Sequence, residues 1–311
     1  MTENRPIGAQ GPVAVVGAGL IGLSWTALFA ARGLAVRVWD PRPDLAEAIG
    51  ATVPGAITGT PGFDGDVEDA LRRVVTVPTI AEAVDGAVAI QEAGPERADI
   101  KQANWREIEQ HAPADGLLLS SSSGIVASEQ AKLMAGPARL LIGHPFNPPH
   151  VLPLVEVSAD EATDQALIDR AMDFYRSLGK HPVQLHREVP GFVANRLQIA
   201  VVVEAIRLVQ AGVVGVDELD DIVTNSLGIR WACVGPLLAF HLGGGQGGLA
   251  SILDRIGRGL AEDIGQGDVL TDETIARIGE AADLAYPRER FAELAARRDG
   301  LQRTIIAEQG R

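Results

Sequence analysis

The stretch VAVVGAGLIGLSWTALFAARGLAVRVWD, residues 13–40, contains an apolar strand, a glycine-rich turn, a helix and a second strand that ends in an acid. Gly17, Gly19 and Gly22 have the Gly-x-Gly-x-x-Gly spacing. The first glycine allows a tight turn, the second lets pyrophosphate approach the backbone, and the third lets the helix pack on the strand. The N-terminus of that helix attracts phosphates through free N–H groups and its dipole. This context predicts a dinucleotide site, against the alternative of a glycine-rich turn without a ligand.

The acid that ends the second strand is Asp40. A carboxylate there accepts hydrogen bonds from the adenosine ribose hydroxyls and repels a 2′-phosphate, which favours NAD over NADP. Arg42 lies close by and leaves NADP open. The candidate cofactor-binding residues of the stretch are Gly17, Gly19, Leu20, Ile21, Gly22 and Asp40.

Apolar runs and amphipathic stretches alternate up to about residue 186. The runs indicate strands at 13–16, 35–39, 73–77, 87–91, 116–120, 139–143, 153–157 and 181–185. The stretches between them indicate helices at 20–32, 96–110 and 162–178. Strands that alternate with helices predict an α/β fold, here a Rossmann-type, mostly parallel sheet covered on both faces. We expect this NAD-binding domain to span residues 1–187.

The strand pattern stops after residue 187. Helices are indicated at 192–212, 216–228, 248–265 and 271–285, so we expect an all-helical domain over residues 188–311 for substrate binding and dimerisation. The helix at 192–212 is apolar almost all the way round, and such a helix is buried inside its domain or against another subunit. The sequence therefore predicts a homodimer formed through the helical domain.

Composition limits the class of partner. The 311 residues are 46% hydrophobic and 22% charged, with a net charge of −14, which is typical of a soluble globular protein and argues against nucleic acid or an anionic membrane as a partner. Cys233 is the single cysteine and Met1–Gln10 lacks the apolar core of a signal peptide, so we expect a cytoplasmic protein. No metal site is predicted.

A second candidate site lies in LIGHPFNPPHVLPLVEV, residues 141–157. His144 ends a predicted parallel strand, the sheet edge at which ligands bind in such folds, and the prolines that follow it restrict the backbone. Glu156 alternates with leucines on its own strand, and a buried carboxylate there needs a partner. An imidazole held by a carboxylate makes a good general base. The alternative is a histidine at a strand end and a solvated glutamate.

Two further segments carry polar groups toward this region. LSSSSGI, residues 119–125, ends another predicted strand, so its serine hydroxyls face the same edge. In VPGFVANRLQ, residues 189–198, Asn195 and Arg196 are the polar exceptions at the start of the apolar helix. A buried amide needs a hydrogen-bond partner, and a substrate oxygen is one candidate.

These motifs, in this order along nearly the whole chain, resemble the 3-hydroxyacyl-CoA dehydrogenase family. The closest likeness is to its small-substrate branch, the lambda-crystallin/L-gulonate 3-dehydrogenase and L-carnitine dehydrogenase group. The resemblance implies that His144 takes the proton of the 3-hydroxyl, that Glu156 holds His144, and that Ser123 and Asn195 bind the substrate oxygen. It also implies that NAD is the cofactor.

The resemblance extends to GPERADIK, residues 94–101, where Glu96 and Lys101 match positions near the nicotinamide and its ribose; the alternative is an ordinary charged helix start. The chain departs from the acyl-CoA enzymes over residues 50–72, which are short, glycine-rich and free of lysine, and at Ser121, where those enzymes usually carry asparagine. An acidic protein without a basic patch is a poor host for the phosphates of CoA, so we expect a small free 3-hydroxy acid.

LGIRWACVGP, residues 227–236, offers a group for the carboxylate of such an acid. Arg230 could bind it bidentately, and Trp231 could line the pocket or stack on a quaternary ammonium. The alternative is a structural ion pair and a core tryptophan.

Three functions follow from these residues. The first is an NAD-dependent oxidoreductase of a small L-3-hydroxy acid, with gulonate-like acids slightly ahead of L-carnitine. The second is an L-3-hydroxyacyl-CoA dehydrogenase. The third is a non-enzymatic, crystallin-like NADH-binding protein, against which the complete set Ser123, His144, Glu156 and Asn195 argues.

Overall fold

The structure, a computed structural model, describes residues 11–309. Met1–Gln10, expected to carry no signal peptide, lies outside the described residues. The chain divides into two compact units, one that ends at Ala200 and one that begins at Val201. The division falls inside a helix, and the domain boundary at residue 187 stays a prediction.

The first unit is built on one eight-stranded sheet in the order β3-β2-β1-β4-β5-β6-β7-β8. Its strands are β1 Val13–Val16, β2 Val36–Trp39, β3 Val74–Thr76, β4 Ala89–Glu92, β5 Leu117–Ser120, β6 Leu140–Pro145, β7 Leu154–Ala159 and β8 His181–Gln184. Every neighbouring pair is parallel except β6 and β7, which are antiparallel. The mostly parallel α/β class predicted above is confirmed.

Helices cover both faces of this sheet. They are α1 Leu20–Ala31, α2 Leu45–Thr58, α3 Val67–Leu71, α4 Ile80–Val84, α5 Ala98–His111, α6 Ala127–Gln130 and α7 Gln165–Ser177. Val13 and Val15 of β1 pack into one core with Trp25, while Ala14 and Val16 pack into another with Trp105. This alternation is the two-residue period of a strand that is buried on both faces.

Two features of this unit differ from a simple alternation of strands and helices. Residues 50–72 hold most of α2, although Pro54 lies inside it. Leu45, Ile49, Val53 and Ile57 are buried along one side of α2, and this four-residue repeat outweighs the glycines and the proline. The strands β6 and β7 are joined by a turn without a helix, so the second of them runs back beside the first.

The second unit is helical. The helix α8 Val193–Gln210 leads into it, and it then contains α9 Val216–Thr224, α10 Leu227–Cys233, α11 Pro236–Gly243, α12 Gly248–Ile252, α13 Arg258–Asp263, α14 Asp272–Ala285 and α15 Phe291–Glu308. A π-helical turn, Leu253–Gly257, joins α12 to α13. A small core of Val234, Leu238 and Leu294 packs with Tyr286. The helical class of this region is as predicted.

The apolar helix α8 contains no buried residue in the single chain. Ile199, Val202 and Ile206 are 58%, 40% and 51% exposed. Of the two alternatives given for this helix, burial inside its own domain is not found in the single chain, and cover by another subunit stays a prediction.

No single helix among residues 11–309 has both the length and the apolar character needed to cross a membrane. One bent pair, Val216–Cys233 with Pro236–Gly243, reaches that length and composition together, with an angle of 91° between its parts.

Candidate active site

The glycine-rich turn between β1 and α1 has the geometry of a phosphate-binding loop. Gly17 has φ +99°, and an added Cβ would lie 2.6 Å from the backbone nitrogen of Gly94. At Gly22 an added Cβ would lie 1.9 Å from the carbonyl oxygen of Gly17. Gly19, in contrast, has no neighbouring atom within 4 Å of that position. The first and third glycines are thus required by the chain itself, and the second leaves space for a ligand.

The N-terminus of α1, at Leu20 and Ile21, is open to an anion. No side chain caps it, and its first turn contains no acidic residue. The carboxylate of Asp40 accepts a hydrogen bond from the backbone nitrogen of Ala18 at 2.7 Å and one from that of Arg42 at 3.0 Å. Arg42 itself forms a bidentate pair with Asp44. These residues fit NAD: the loop would hold the pyrophosphate, Asp40 would face the ribose, and Arg42 is already engaged by a carboxylate. The cofactor contacts stay predictions.

A cavity of about 540 Å³ opens beside this loop, at the carboxyl ends of the strands. Its lining residues all belong to the first unit: Ile21, Ala93, Gly94, Glu96, Ser121, Ser123, His144, Pro145, Phe146, Asn147, Asn195 and Gln198. The cavity thus brings together part of the glycine-loop helix and four of the polar residues predicted from sequence, Glu96, Ser123, His144 and Asn195. Parallel sheets place their ligands at this edge.

His144 and Glu156 face each other across the antiparallel pair of β6 and β7. Their register explains the twelve-residue spacing: directly opposed residues point to the same face of the sheet. His144 Nδ1 lies 2.9 Å from Glu156 Oε2, and both side chains are buried. Since an ionised carboxylate only accepts hydrogen bonds, Nδ1 carries a proton in this pair.

The start of α8 holds the other oxygen of this carboxylate. Glu156 Oε1 accepts hydrogen bonds from the backbone nitrogens of Val193 and Ala194, both at 3.0 Å. Desolvation acts to raise the pKa of Glu156, but the hydrogen bonds from His144 and from the helix N-terminus outweigh it, and the pKa lies below the usual value. Glu156 is therefore ionised at neutral pH and holds the imidazole in one orientation.

The segment that follows His144 is held in place by hydrogen bonds with α1 and with Lys180. Ser24 of α1 forms hydrogen bonds with the backbone nitrogen of His150 at 2.9 Å and with its ring Nδ1 at 2.8 Å. Lys180 Nζ donates to the carbonyl oxygens of Pro149 and Leu152. Burial lowers the pKa of Lys180 to about 8. Hydrogen bonds with Ser24 and Lys180 thus hold the proline-rich turn at several points, as expected for a segment that positions a histidine.

Phe192, which precedes α8, packs its ring 5.2 Å from that of His144, while Phe146 contacts the imidazole from another side at 5.6 Å. Phe192 has φ +47°, a left-handed conformation that is strained for a bulky residue. Its ring and the Glu156 carboxylate together hold His144 in place.

Ser123, Asn195 and Glu96 lie on the cavity lining. Asn195 Nδ2 donates to the backbone carbonyl oxygen of Ser123 at 3.0 Å, which ties the start of α8 to the serine loop. Glu96 Oε1 accepts from Ser122 Oγ at 2.6 Å and from the backbone nitrogen of Gly124 at 2.8 Å. Glu96 thus shapes the serine loop in addition to facing the cavity. The substrate contacts of Ser123 and Asn195 and the cofactor contact of Glu96 stay predictions.

Lys101, the other residue predicted near the nicotinamide and its ribose, is not on the cavity lining. It is fully buried, and its Nζ lies 2.8 Å from Glu92 Oε2. Glu92 also accepts from Ser120 Oγ at 3.1 Å and, through Oε1, from the backbone nitrogen of Gly94 at 2.8 Å. Lys101 is not among the residues that line the cavity, so it supports the loop at its rim, and its cofactor contact stays a prediction.

Sequence reasoning missed Glu92, the partner of that lysine. A signal was present: Glu92 ends the apolar run AVAIQE of β4, and a carboxylate at the end of a buried strand requires a partner.

Arg230 and Trp231 lie on α10 in the second unit. Arg230 lines a separate cavity there together with Arg298, Phe240 and Gln302, and Trp231 is 39% exposed. Trp231 is therefore not a core residue of the single chain. Substrate binding by either residue stays a prediction.

Comparison with known proteins gives the family. The NAD binding domain of 3-hydroxyacyl-CoA dehydrogenase matches residues 12–189, and the C-terminal domain of 3-hydroxyacyl-CoA dehydrogenase matches residues 191–283. The chain belongs to the 3-hydroxyacyl-CoA dehydrogenase family. It is an NAD-dependent oxidoreductase that acts on a CH–OH group.

Three relatives within this family are similar to most of the chain. An L-carnitine dehydrogenase of Nocardiopsis dassonvillei is 39% identical over 99% of this chain and 94% of its own. A 3-hydroxyacyl-CoA dehydrogenase of Gibberella moniliformis is 42% identical over 81% of this chain and 80% of its own. A lambda-crystallin homolog of Bos taurus is 36% identical over 94% of each chain. The L-carnitine dehydrogenase and the lambda-crystallin homolog match the small-substrate branch predicted above.

Proposed function

We propose that this member of the family oxidises the 3-hydroxyl of a small, free L-3-hydroxy acid, with L-carnitine as the first candidate substrate. The observation that carries the proposal is the His144–Glu156 pair, in which one imidazole nitrogen is bound to a buried carboxylate and the ring lines the cavity. The L-carnitine dehydrogenase relative supports carnitine over the gulonate-like acid that the sequence favoured slightly.

In this mechanism His144 Nε2 takes the proton of the substrate hydroxyl as general base. Glu156 keeps the ring in the required tautomer and stabilises the charge that the imidazole gains, as carboxylates do in other catalytic pairs. Ser123 and Asn195 bind the substrate oxygen. NAD, when bound, accepts the hydride that leaves C3.

The charge of the cavity favours carnitine over a CoA ester. Among its lining residues Glu96 is the formally charged one at neutral pH, and no lysine or arginine is present there. A carboxylate and the ring of Phe146 suit a quaternary ammonium group, whereas the phosphates of CoA need cations. The Gibberella relative keeps the CoA ester as the rival substrate.

We also infer a homodimer in the cytoplasm. Val201, Val202, Ile206 and Val209 of α8 form an apolar groove with Val216, Leu219 and Val223 of α9. An exposed apolar surface of this kind is typical of a subunit interface. The single cysteine and the NAD cofactor fit a reducing compartment.

The test is NADH formation with L-carnitine, D-carnitine, L-gulonate, L-3-hydroxybutyrate and L-3-hydroxybutyryl-CoA, each supplied with NAD and with NADP. We expect turnover of L-carnitine, or of another free L-acid, with NAD. Turnover of the CoA ester alone would overturn the proposal.

A further inference from the structure

A chain of hydrogen bonds leads from the core of the first unit to Ser121 on the cavity lining. Tyr175 OH donates to Gln91 Oε1 at 2.8 Å, and Gln91 Nε2 donates to Ser121 Oγ at 2.7 Å. Trp25 Nε1 donates to the same oxygen at 3.1 Å. Tyr175, Gln91 and Trp25 are buried, whereas Ser121 is partly accessible and lines the cavity. Two buried side chains, Trp25 and Gln91, therefore donate to one cavity hydroxyl, and Tyr175 holds Gln91 from behind.

The orientation of the Gln91 amide is fixed by two neighbours. Its oxygen accepts from the buried Tyr175 hydroxyl, and its nitrogen lies 3.4 Å from the carbonyl oxygen of Gly143. A carbonyl oxygen can only accept, so the flipped amide would set two acceptors against each other. The nitrogen of Gln91 must therefore face Ser121.

The hydrogen-bond capacity of Ser121 follows from this arrangement. A hydroxyl has two acceptor positions and one proton, and an indole N–H and an amide N–H can only donate. Both acceptor positions of Ser121 Oγ are filled by Trp25 and Gln91. Within residues 11–309, Ser121 Oγ donates to no protein atom. Its proton is left for a group in the cavity.

We propose that Ser121 is a binding residue whose hydroxyl donates a hydrogen bond to an acceptor oxygen of a bound ligand. That oxygen belongs to the carboxylate of the substrate or to the carboxamide of the nicotinamide. The inference rests on the proposed function, and it adds a binding contact to the set of His144, Glu156, Ser123 and Asn195. Trp25, Gln91 and Tyr175 act as positioning residues, since they prevent Ser121 from turning its proton inward.

The test compares Ser121→Ala with Ser121→Thr, which retains the hydroxyl. Ser177→Ala is the matched control, because Ser177 donates to the Phe174 carbonyl away from the cavity. The measurements are the Kd of NADH, kcat and KM on the substrate that the wild type uses, and the melting temperature of each variant.

We expect Ser121→Ala to lose about 10- to 100-fold in one of the two binding constants, as for a lost hydrogen bond to a polar or charged acceptor. Ser121→Thr should restore most of that loss. A weaker Kd for NADH identifies the carboxamide as the acceptor. A raised KM at constant NADH affinity identifies the substrate carboxylate.

If Ser121→Ala lowers the melting temperature but leaves both constants within twofold of Ser177→Ala, the proposal is overturned. Should Ser121→Ala fail to fold, Ser121→Cys decides instead. A thiol is a weak hydrogen-bond donor, so the same constant should weaken severalfold, and an unchanged constant overturns the proposal. A wild type that turns over only the CoA ester would contradict the proposed function. It would not affect this test, because the constants of the variants are compared with those of the wild type on the substrate that the wild type uses.

Discussion

Two buried pairs of a carboxylate and a basic side chain lie near the same edge of the sheet, and they differ in which atoms they leave without a partner. In the first, Glu156 binds His144 and two backbone nitrogens of α8. In the second, Glu92 binds Lys101, Ser120 and the backbone nitrogen of Gly94. His144 lines the cavity and Lys101 does not. Burial and pairing alone therefore do not identify a catalytic group. A catalytic group also needs an atom that faces the cavity and is not already hydrogen-bonded within the pair.

The largest effect is expected from removing the lysine of the Glu92–Lys101 pair. Lys101→Met leaves the charge of Glu92 buried without its partner, and such changes destabilise proteins by about 3–5 kcal/mol. Urea unfolding measures the loss. Lys132→Met is the matched control, because Lys132 pairs with Glu129 on the surface, where a pair contributes about 0–1 kcal/mol.

The double variant Glu92→Gln with Lys101→Met should recover part of that stability, since no charge is then stranded. A Lys101→Met protein with unchanged stability would show that the Glu92–Lys101 pair does not stabilise the fold. That result would favour the role in cofactor binding that the sequence predicted for Lys101.

The second prediction concerns the carboxylate of the His144–Glu156 pair. Glu156→Gln keeps an oxygen for the helix N-terminus but removes the charge that stabilises the protonated imidazole, so kcat should fall about 10²-fold or more. The matched control is Glu188→Gln. Glu188 accepts from the backbone nitrogen and the hydroxyl of Ser128, close to the same helix, and does not line the cavity. Equal kcat in the two variants would contradict the role of Glu156.

The third prediction is a pH dependence of stability. The pKa of Glu156 is lowered in the folded protein. Its ionised form therefore stabilises the fold at pH values above the unfolded value of 4.5, and this contribution is lost as the pH falls through the lower folded value. The stability difference between wild type and Glu156→Gln, measured by urea unfolding, should shrink below about pH 4.5. A difference that is independent of pH would mean that Glu156 is not ionised in the native state.

The smallest expected effect belongs to Arg230, on the second unit. If its guanidinium binds the substrate carboxylate, Arg230→Ala should raise KM about tenfold with little change in kcat. Arg298→Ala, which alters the same cavity of that unit, is the control. A lower melting temperature with intact kinetics would assign Arg230 a structural role.

The sequence predicted the sheet well because its central strands β1, β4, β5 and β6 are buried on both faces, which leaves the apolar pattern undiluted. Helix α2 was hidden because its glycines and Pro54 argue against a helix, while the buried repeat of Leu45, Ile49, Val53 and Ile57 is sparse. The reversal of β7 follows from a turn without a helix, and the spacing of prolines alone did not reveal the strand direction.

For the site, residues that reach the cavity from strand ends and from the start of α8 were predictable, because their position in a motif fixes their edge of the sheet. Gln91 and Tyr175 were not, since their importance lies in a contact between distant segments. Tyr175 meets Gln91 across 84 residues of chain. The ion pair of Lys101 with Glu92 was not predicted either, because it joins a helix start to the neighbouring strand.

The most direct test of the central claim is to measure turnover and NADH affinity in His144→Gln. This variant keeps a polar side chain of similar length but has no ring nitrogen to take the hydroxyl proton. The predicted result is a fall in kcat of about 10²- to 10⁴-fold, with the Kd of NADH within about twofold of wild type. Turnover close to that of the wild type, with NADH still bound, would contradict the assignment of His144 as the base.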